Sequence, residues 1–176
     1  MKRRLYYLCL LLGLLSLASC RKSKPIFTVF TDFDHLAGWV NPLPTFLTTE
    51  QAYSGKYSYR MSPGAEYGPG YSTTLAALAS SMPHELYLRA WVYLPSGRIR
   101  ATMLVVVVNC HGRRPDVWNA INIDQTMARY QIWAPVQKYI PLPHDLQPTD
   151  ELTFYVWHSD PNGDLLFLDD LTLEGW

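Results

Sequence analysis

The stretch LYLRAWVYL, residues 86–94, alternates strictly between two kinds of side chain. Successive side chains of an extended strand point to opposite sides, so a strand here has one aliphatic face and one face of rings around a guanidinium. The aliphatic face consists of Leu86, Leu88, Ala90, Val92 and Leu94, and the other face of Tyr87, Arg89, Trp91 and Tyr93. We expect the aliphatic face to fill a core, which leaves the second face free for another role.

The rest of the chain after Pro25 also predicts strands. Short runs of β-branched and aromatic residues are interrupted by Gly, Pro, Asn and Asp, without a sustained helical period. The 13 prolines agree with this, because proline is confined to strand edges and loops. The predicted strands cover 26–33, 45–50, 56–62, 70–76, 86–94, 99–110, 117–124, 129–140, 151–158 and 165–173. This pattern predicts an all-β fold, a two-sheet antiparallel β-sandwich formed by one domain over 26–176.

One predicted strand differs from the others. The run from Ala101 to Asn109 reads ATMLVVVVN and shows no polar alternation. A strand that is apolar on both sides is typical of a central position in a packed sheet. We therefore expect this strand to be covered on both faces.

The first 20 residues predict export. Lys2, Arg3 and Arg4 precede an apolar run that is too short for a membrane span and is typical of a signal peptide. The run ends in Leu17-Ala18-Ser19-Cys20, which resembles the lipobox of bacterial lipoproteins. The resemblance implies that Cys20 becomes the first mature residue and carries acyl chains such as palmitate. An ordinary secretory signal with an incidental cysteine is the alternative.

Lipidation at Cys20 would anchor the protein to a membrane of the cell envelope, with 21–25 as a short tether. Arg21 stands where some bacteria use an aspartate to retain lipoproteins in the inner membrane, and this favours the outer membrane.

Charge and cysteine content exclude other classes. The chain has 15 basic and 15 acidic residues, and loss of residues 1–20 removes three basic ones and leaves a net charge of −3. A binding partner made of nucleic acid calls for a clustered basic surface, which the sequence lacks. Once Cys9 has left and Cys20 is acylated, Cys110 has no partner for a disulfide. Its neighbour His111 suggests a metal pair, but a buried structural thiol is the simpler interpretation.

Four segments together resemble the jelly-roll carbohydrate-binding modules of the galactose-binding-like superfamily. They are Asp32-Phe33-Asp34 followed by Gly38-Trp39, the turn AYSGKYSYRM at 52–61, the pair of segments 136–141 and 152–157, and the closing run LFLDDLTL at 166–173. The resemblance covers nearly the whole mature chain and implies a jelly-roll fold and non-catalytic binding of carbohydrate. Because many domains of this fold bind no sugar, function must be argued from the site.

The resemblance also implies a structural calcium ion. In such modules the ion ties together the first strand, the Ser-Gly turn and the closing aspartate. Carried over residue by residue, this names Asp34 and Asp169 as ligands, with carbonyl oxygens near 54–56. Asp34 stands where the family more often has glutamate, so its arm is shorter. Solvated carboxylates that cap strand ends are the alternative.

The aromatic faces predict the binding surface. Sugars present apolar C–H faces and many hydroxyl groups, so a site needs flat rings and planar hydrogen-bonding groups. The residues with this chemistry are Tyr87, Arg89, Trp91 and Tyr93 on one strand, Tyr155 and Trp157 beside Thr153 on a second, and Trp118 and Asn122 on a third. If these strands share one sheet, the rings form a single concave surface. Burial of the rings in the core or at its rim is the alternative.

Catalytic patterns are absent from the sequence. It contains no Glu-x-Asp-x-Glu strand, no Gly-x-Ser-x-Gly elbow and no HExxH motif, and its five histidines are scattered. The sequence therefore predicts a lipid-anchored β-sandwich of the cell envelope that binds carbohydrate without catalysis. A structural or protein-interaction lipoprotein module without sugar binding is the second hypothesis.

Overall fold

A computed structural model describes residues 24–36, 46–159 and 164–176. The predicted signal peptide 1–20, Cys20, most of the tether and the Gly38-Trp39 pair lie outside the described residues. No helix in the described part is long and apolar enough to cross a membrane.

Ten strands and two single-turn helices follow one another in the described residues. The strands are β1 (Phe27–Thr31), β2 (Leu47–Thr48), β3 (Ser58–Met61), β4 (Tyr67–Thr74), β5 (Glu85–Tyr93), β6 (Thr102–Asn109), β7 (Val117–Asn122), β8 (Trp133–Pro141), β9 (Glu151–His158) and β10 (Leu166–Gly175). The helices are α1 (Leu75–Leu78) and α2 (Ile123–Thr126). Each predicted strand has a counterpart here, so the prediction of an all-β chain is confirmed.

The strands form two antiparallel sheets. Sheet A has the order β2-β3-β10-β5-β8, and β1 also pairs with β10. The long strand β10 makes this possible, because its first residues pair with β3 and its last residues pair with β1. Sheet B has the order β4-β9-β6-β7. The predicted two-sheet antiparallel sandwich is therefore confirmed.

Mostly aliphatic side chains fill the space between the sheets, together with buried rings such as Tyr59 and Phe154. The exposed fraction of Leu86, Leu88, Ala90 and Val92 on β5, and of Leu94 just after it, is 0%. Strand β9 contributes Leu152, Phe154 and Val156 to the same core cluster, while its alternate residues are only half-buried. The alternation of these two strands thus identified the core side correctly, and both sets of rings lie on outer faces.

Strand β6 differs from the prediction on one side. It is central in sheet B, between β9 and β7, and Leu104, Val106 and Val108 point into the core. Its other face is the outer face of the sandwich. Val105 on that face is 1% exposed, whereas Met103 and Val107 are half-buried. The expected central position is confirmed, and the expected cover on both faces holds on the outer face for Val105 but not for Met103 and Val107.

Candidate functional site

The predicted ring-bearing strands do not share a sheet. Strand β5 belongs to sheet A, and β7 and β9 belong to sheet B. The side chains of Tyr87, Arg89, Trp91 and Tyr93 therefore lie on one outer face of the sandwich, and those of Trp118, Asn122, Tyr155 and Trp157 lie on the opposite one. The expectation of a single surface is wrong, since alternation within a strand shows its two faces but not its neighbours.

On sheet A the rings pack against each other. Tyr53, from the loop that precedes β3, stacks on Trp91 with a centroid distance of 3.9 Å and an interplanar angle of 15°. Tyr93 contacts the rings of Trp133 and Phe167, and the guanidinium of Arg89 lies 5.6 Å from the ring centroid of Trp91. Tyr87 pairs with Tyr139 and donates a hydrogen bond to Gln137. The Trp91 ring is thus used within the protein, so it is a poor platform for a ligand.

On sheet B the strand register sets the rings in adjacent rows. One row across the outer face runs from Asn122 through Met103 and Trp157 to Tyr67. The next row contains Ala120, Val105, Tyr155 and Gly70, two of which have little or no side chain. Large rings beside small residues leave a depression in the sheet surface.

This depression is a groove of about 250 Å³, lined by Glu66, Tyr67, Val105, Trp118, Tyr155 and Trp157. The buried Val105 lies in its lining, while Trp118 and Tyr67 are 56% and 57% exposed. The rings of Tyr67 and Tyr155 are 6.0 Å apart and tilted by 50°. Exposed rings of this size offer flat apolar area at little cost in side-chain entropy. The carboxylate of Glu66 adds a hydrogen-bond acceptor.

The groove contains part of the predicted site and three residues that were not predicted as site residues, Glu66, Tyr67 and Val105. Trp118, Tyr155 and Trp157 line it, and Asn122 lies on the same face two residues from Ala120. The amide of Asn122 donates to Gln125, and its Oδ1 has no hydrogen-bond partner among the described residues. Glu66 and Tyr67 were missed because the strand was predicted to begin at residue 70. Gly68 and Pro69 interrupt the strand pattern there.

A second feature lies at the far end of sheet A, where carboxylates hold the 53–57 loop. Asp169 Oδ2 accepts hydrogen bonds from the backbone N–H groups of Tyr53 and Ser54, at 2.8 and 3.1 Å. Asp34 Oδ2 accepts from the N–H groups of Lys56 and Tyr57, at 2.9 and 3.3 Å.

Bulge and turn geometry places these groups. The register of β10 shifts between Asp169 and Thr172, and Asp170 in this bulge has a φ of 44°. Its carboxylate accepts a hydrogen bond from the hydroxyl of Ser54 at 2.7 Å. The first strand, this loop and the closing aspartates thus lie together, as the resemblance implied, and hydrogen bonds join them.

The arrangement does not fit a calcium shell. Calcium takes about six to eight oxygen ligands, many of them carbonyl oxygens. Here the loop turns amide hydrogens, not carbonyl oxygens, toward both carboxylates, and Asp169 Oδ1 also accepts from the N–H of Asp170. The described residues contain no group of three or more acids, histidines or cysteines that could hold a metal ion. Hydrogen bonds to these carboxylates hold the loop in place.

The carboxyl of Asp169 is unusual because it is 0% exposed. Burial raises its pKa, since the charged form loses its hydration, and the N–H donors of Ser54, Asp170 and Tyr53 offset only part of this. Asp32, by contrast, accepts from the backbone of Asp34 and His35, and its carboxylate lies beside the His35 ring. None of the described cavities is lined by Asp32, Asp34, Asp169 or Asp170. The contacts described for these acids are hydrogen bonds within the protein.

Cys110 is a buried thiol, as the simpler interpretation predicted. It is 0% exposed, and its Sγ lies 3.6 Å from the carbonyl oxygen of Val108. The His111 ring is exposed and lies 3.1 Å from the carbonyl oxygen of Thr149. The two side chains make separate contacts, which does not support a metal pair.

Comparison with known proteins agrees with the jelly-roll fold. The sequence matches no family model and no curated protein sequence. The structure is similar to a family 16 carbohydrate-binding module, with 18% identity, a TM-score of 0.54, and 78% of this chain and 91% of the other covered. It is also similar to the CBM22-1 xylan-binding domain of Xyn10C from Paenibacillus barcinonensis, with 20% identity, a TM-score of 0.54 and coverage of 87% and 97%.

A third similar structure is the C-terminal family 22 module of Xyn10B from Clostridium thermocellum, with 12% identity, a TM-score of 0.56 and coverage of 86% and 96%. At these identities the likeness shows the fold. The chain thus has the β-sandwich fold of carbohydrate-binding modules, and the resemblance stated from its sequence segments is confirmed at that level.

Proposed function

We propose that this protein is a lipid-anchored module of the cell envelope that binds carbohydrate in the groove of sheet B. The observation that carries the proposal is the groove itself, in which exposed rings of Tyr67 and Trp118 stand beside Tyr155, Trp157 and a carboxylate. This combination offers apolar platforms for sugar C–H faces and an acceptor for a hydroxyl group.

The groove favours an uncharged saccharide. Its described lining residues include one acid, Glu66, and no lysine or arginine. An acidic sugar would meet a like charge there, which disfavours binding. Two of the similar structures are described as xylan-binding domains, so xylan and related neutral polysaccharides are the first ligands to test.

The lipid anchor at Cys20 is the second part of the proposal. It is supported by the order of basic residues, apolar run, small residues and cysteine in the first 20 residues. Acyl chains at Cys20 would hold the domain at a membrane, which we propose to be the outer membrane. Labelled palmitate should appear in the wild-type protein and not in Cys20→Ser, and the variant should leave the membrane fraction. Equal membrane retention of both proteins would contradict the anchor.

A binding role rather than a catalytic one is also proposed. A hydrolase would need acidic side chains that converge in a cleft. Asp32, Asp34, Asp169 and Asp170 instead accept hydrogen bonds from the 53–57 loop and from neighbouring residues. Glycoside hydrolysis requires two carboxylates across the scissile bond. In the groove, Glu66 is the only carboxylate among the described lining residues.

Binding of the purified protein to a polysaccharide panel tests the groove with a matched pair of variants. Tyr67 in the groove is 57% exposed, and Tyr139 on the opposite face is 59% exposed. Tyr67→Ala should weaken saccharide binding about 10-fold, equivalent to about 1.4 kcal/mol, because a stacking ring is lost. Tyr139→Ala should leave binding unchanged. Equal losses in the two variants, or no binding of wild type to any glycan, would contradict the proposal.

The alternative function is a protein-interaction module, and one observation favours it. Exposed tryptophan and tyrosine are enriched in protein interfaces, so Trp118 and Tyr67 also suit a protein partner. Under this alternative, wild type binds no glycan, and affinity purification from solubilised membranes recovers a stoichiometric protein that Trp118→Ala loses.

A further inference from the structure

The chain enters the fold at the edge of sheet A, on the layer opposite to the groove. The backbone N–H of Ile26 donates to the carbonyl oxygen of Gly175 at 2.8 Å, and β1 begins at the next residue. Lys24 is therefore close to the sheet. Only three residues separate it from Cys20, and the four Cα–Cα steps between Cys20 and Lys24 span at most about 14 Å when fully extended. A lipid on Cys20 would hold this edge of sheet A near the membrane surface.

Exposed apolar side chains lie on the outer face of sheet A near both of its edges. Ile26, just before β1, and Phe30 in β1 are 39% and 50% exposed, and Tyr139, 59% exposed, lies on β8 at the opposite edge, beyond β10 and β5. A cavity of about 470 Å³ lies between Ile26 and Tyr139. Ile26, Met82, Tyr139 and Trp176 line the cavity, together with Lys24 and Glu85. An exposed apolar surface of this kind is typical of an interaction site.

The composition of this surface suits the headgroup region of a bilayer. Trp and Tyr concentrate at membrane interfaces, where one part of the ring system is apolar and the other is polar. Tyr139 and Trp176 both line the cavity, and Tyr139 is 59% exposed.

The outer face itself has balanced charge. Lys24 and Arg89 on or beside this face are matched by Glu85 and Glu174. The tether adds Arg21 and Lys22, and basic residues beside an anchor are attracted to anionic lipids. We therefore expect the apolar contact to form on neutral lipid, and anionic lipid to add to it through the tether.

We propose that the outer face of sheet A around Ile26, Phe30 and Tyr139 rests on the headgroup region of the membrane that holds the lipid anchor. This inference rests on the proposed anchor at Cys20. The two sheets of a sandwich lie about 10 Å apart, so the groove of sheet B then opens on the side away from the membrane. The same tether that fixes the protein thus presents the groove to glycans beyond the membrane surface.

Two cysteine variants of the full-length lipidated protein test the orientation. Thr28 lies between Ile26 and Phe30 on β1, and Ser72 lies on β4 at the groove side; both are exposed residues of edge strands. Each position is changed to Cys, labelled with a polarity-sensitive dye and reconstituted into phosphatidylcholine vesicles that contain nitroxide-labelled lipid. Labelling is selective because Cys110 is 0% exposed.

We expect quenching at Thr28→Cys to be several-fold stronger than at Ser72→Cys in these vesicles, which contain no anionic lipid. Adding Ile26→Ser and Tyr139→Ser should reduce the quenching at Thr28→Cys. Equal quenching at the two positions in a protein that needs Cys20 for membrane retention would overturn the orientation alone. Membrane retention that does not need Cys20 would overturn both the anchor and the orientation.

Discussion

Gly55 shows how one missing side chain allows the 53–57 loop to close on Asp34. Its φ is +57°, in the left-handed region, and a Cβ atom built there would lie 2.1 Å from Asp34 Oδ2. The residue is therefore restricted both by its backbone conformation and by the carboxylate that accepts the N–H groups of Lys56 and Tyr57.

We predict that Gly55→Ala lowers the free energy of unfolding by more than the about 1–2 kcal/mol that a left-handed alanine costs. The control is Gly112→Ala, since Gly112 has a φ of +73° but nothing within 4 Å of an added Cβ. Urea unfolding of both variants separates backbone strain from the clash with Asp34. Equal destabilisation of the two variants would show that the contact with Asp34 is unimportant.

Asp150 is a residue through which the free energy of unfolding depends on pH. It is 1% exposed, and its two oxygens accept hydrogen bonds from the Arg113 guanidinium at 2.7 and 2.6 Å. Burial alone would raise its pKa, but the donors of Arg113 and of the Gln147 backbone outweigh burial and hold the pKa below its usual value. Because the folded-state pKa is the lower one, this stabilisation is present above about pH 4 and is lost as the pH falls further.

Asp150→Asn should lower the free energy of unfolding at pH 7 by about 1.5–3 kcal/mol and flatten its decrease below pH 4. Denaturant titrations at several pH values measure both effects. Asp145→Asn is the control, because Asp145 is 62% exposed and pairs with Arg114 at the surface, where an ion pair contributes about 0–1 kcal/mol. A wild-type acid slope in Asp150→Asn would contradict this role.

Residues of the groove show where sequence patterns stop being informative. Trp118, Tyr155 and Trp157 were recognisable because they alternate with core residues along regular strands. Tyr67 was not, since the bulge between Tyr67 and Gly70 breaks the alternation that identifies a strand. Val105 was taken for the covered side of a central strand, because an apolar groove lining and a buried layer have the same composition.

At the scale of elements, the 53–57 loop ties the first and last strands of sheet A. Asp34 follows β1, and Asp169 and Asp170 lie in β10, and all three accept hydrogen bonds from the loop. The loop in turn sets the Tyr53 ring over Trp91. The resemblance to carbohydrate-binding modules implied that these segments meet, and the structure shows that the N–H groups of the loop point at the carboxylates.

We predict that the midpoint of thermal unfolding is the same with EDTA and with added calcium. Asp169→Asn should lower it in both conditions, because one acceptor for the loop N–H groups is lost. Differential scanning calorimetry measures these midpoints. A ligand at 100 times its dissociation constant stabilises by about 2.7 kcal/mol, so a clear upward shift with calcium would contradict the account and restore the metal site.

The order of strands in the sheets was the part of the fold that the sequence did not predict. Periodicity is a local property, and it identified the strands and the faces of β5 and β9 correctly. Which strands become neighbours depends on pairings such as Leu168 with Val92 or Val105 with Tyr155, between residues far apart in the chain. For this reason the two aromatic faces were expected together although they lie on opposite sides.

At the scale of the whole molecule, the sandwich holds together through its core without a disulfide in its described part, where Cys110 is a free thiol. Burial raises the pKa of this thiol, so little thiolate forms. We predict that Cys110 does not react with a thiol reagent in the native protein and reacts at once in denaturant. Rapid reaction under native conditions would mean that this end of the sandwich opens easily.

The two outer faces of the sandwich have different proposed roles. Sheet A carries rings that pack on each other and the edge from which the tether leaves, while sheet B carries the groove with its exposed rings. The core cluster contains none of the groove rings, since aliphatic side chains and other rings such as Tyr59 and Phe154 fill it. Loss of a groove ring should therefore affect binding much more than folding.

The most direct test is a titration of the protein with a xylo-oligosaccharide, followed through the indole N–H signals in ¹H–¹⁵N NMR spectra. We expect the signals of Trp118 and Trp157 to move on binding while those of Trp91, Trp133 and Trp176 stay in place. Movement of the Trp91 and Trp133 signals instead, or no movement of any indole signal with this or any other glycan, would contradict the claim that the groove of sheet B is the binding site.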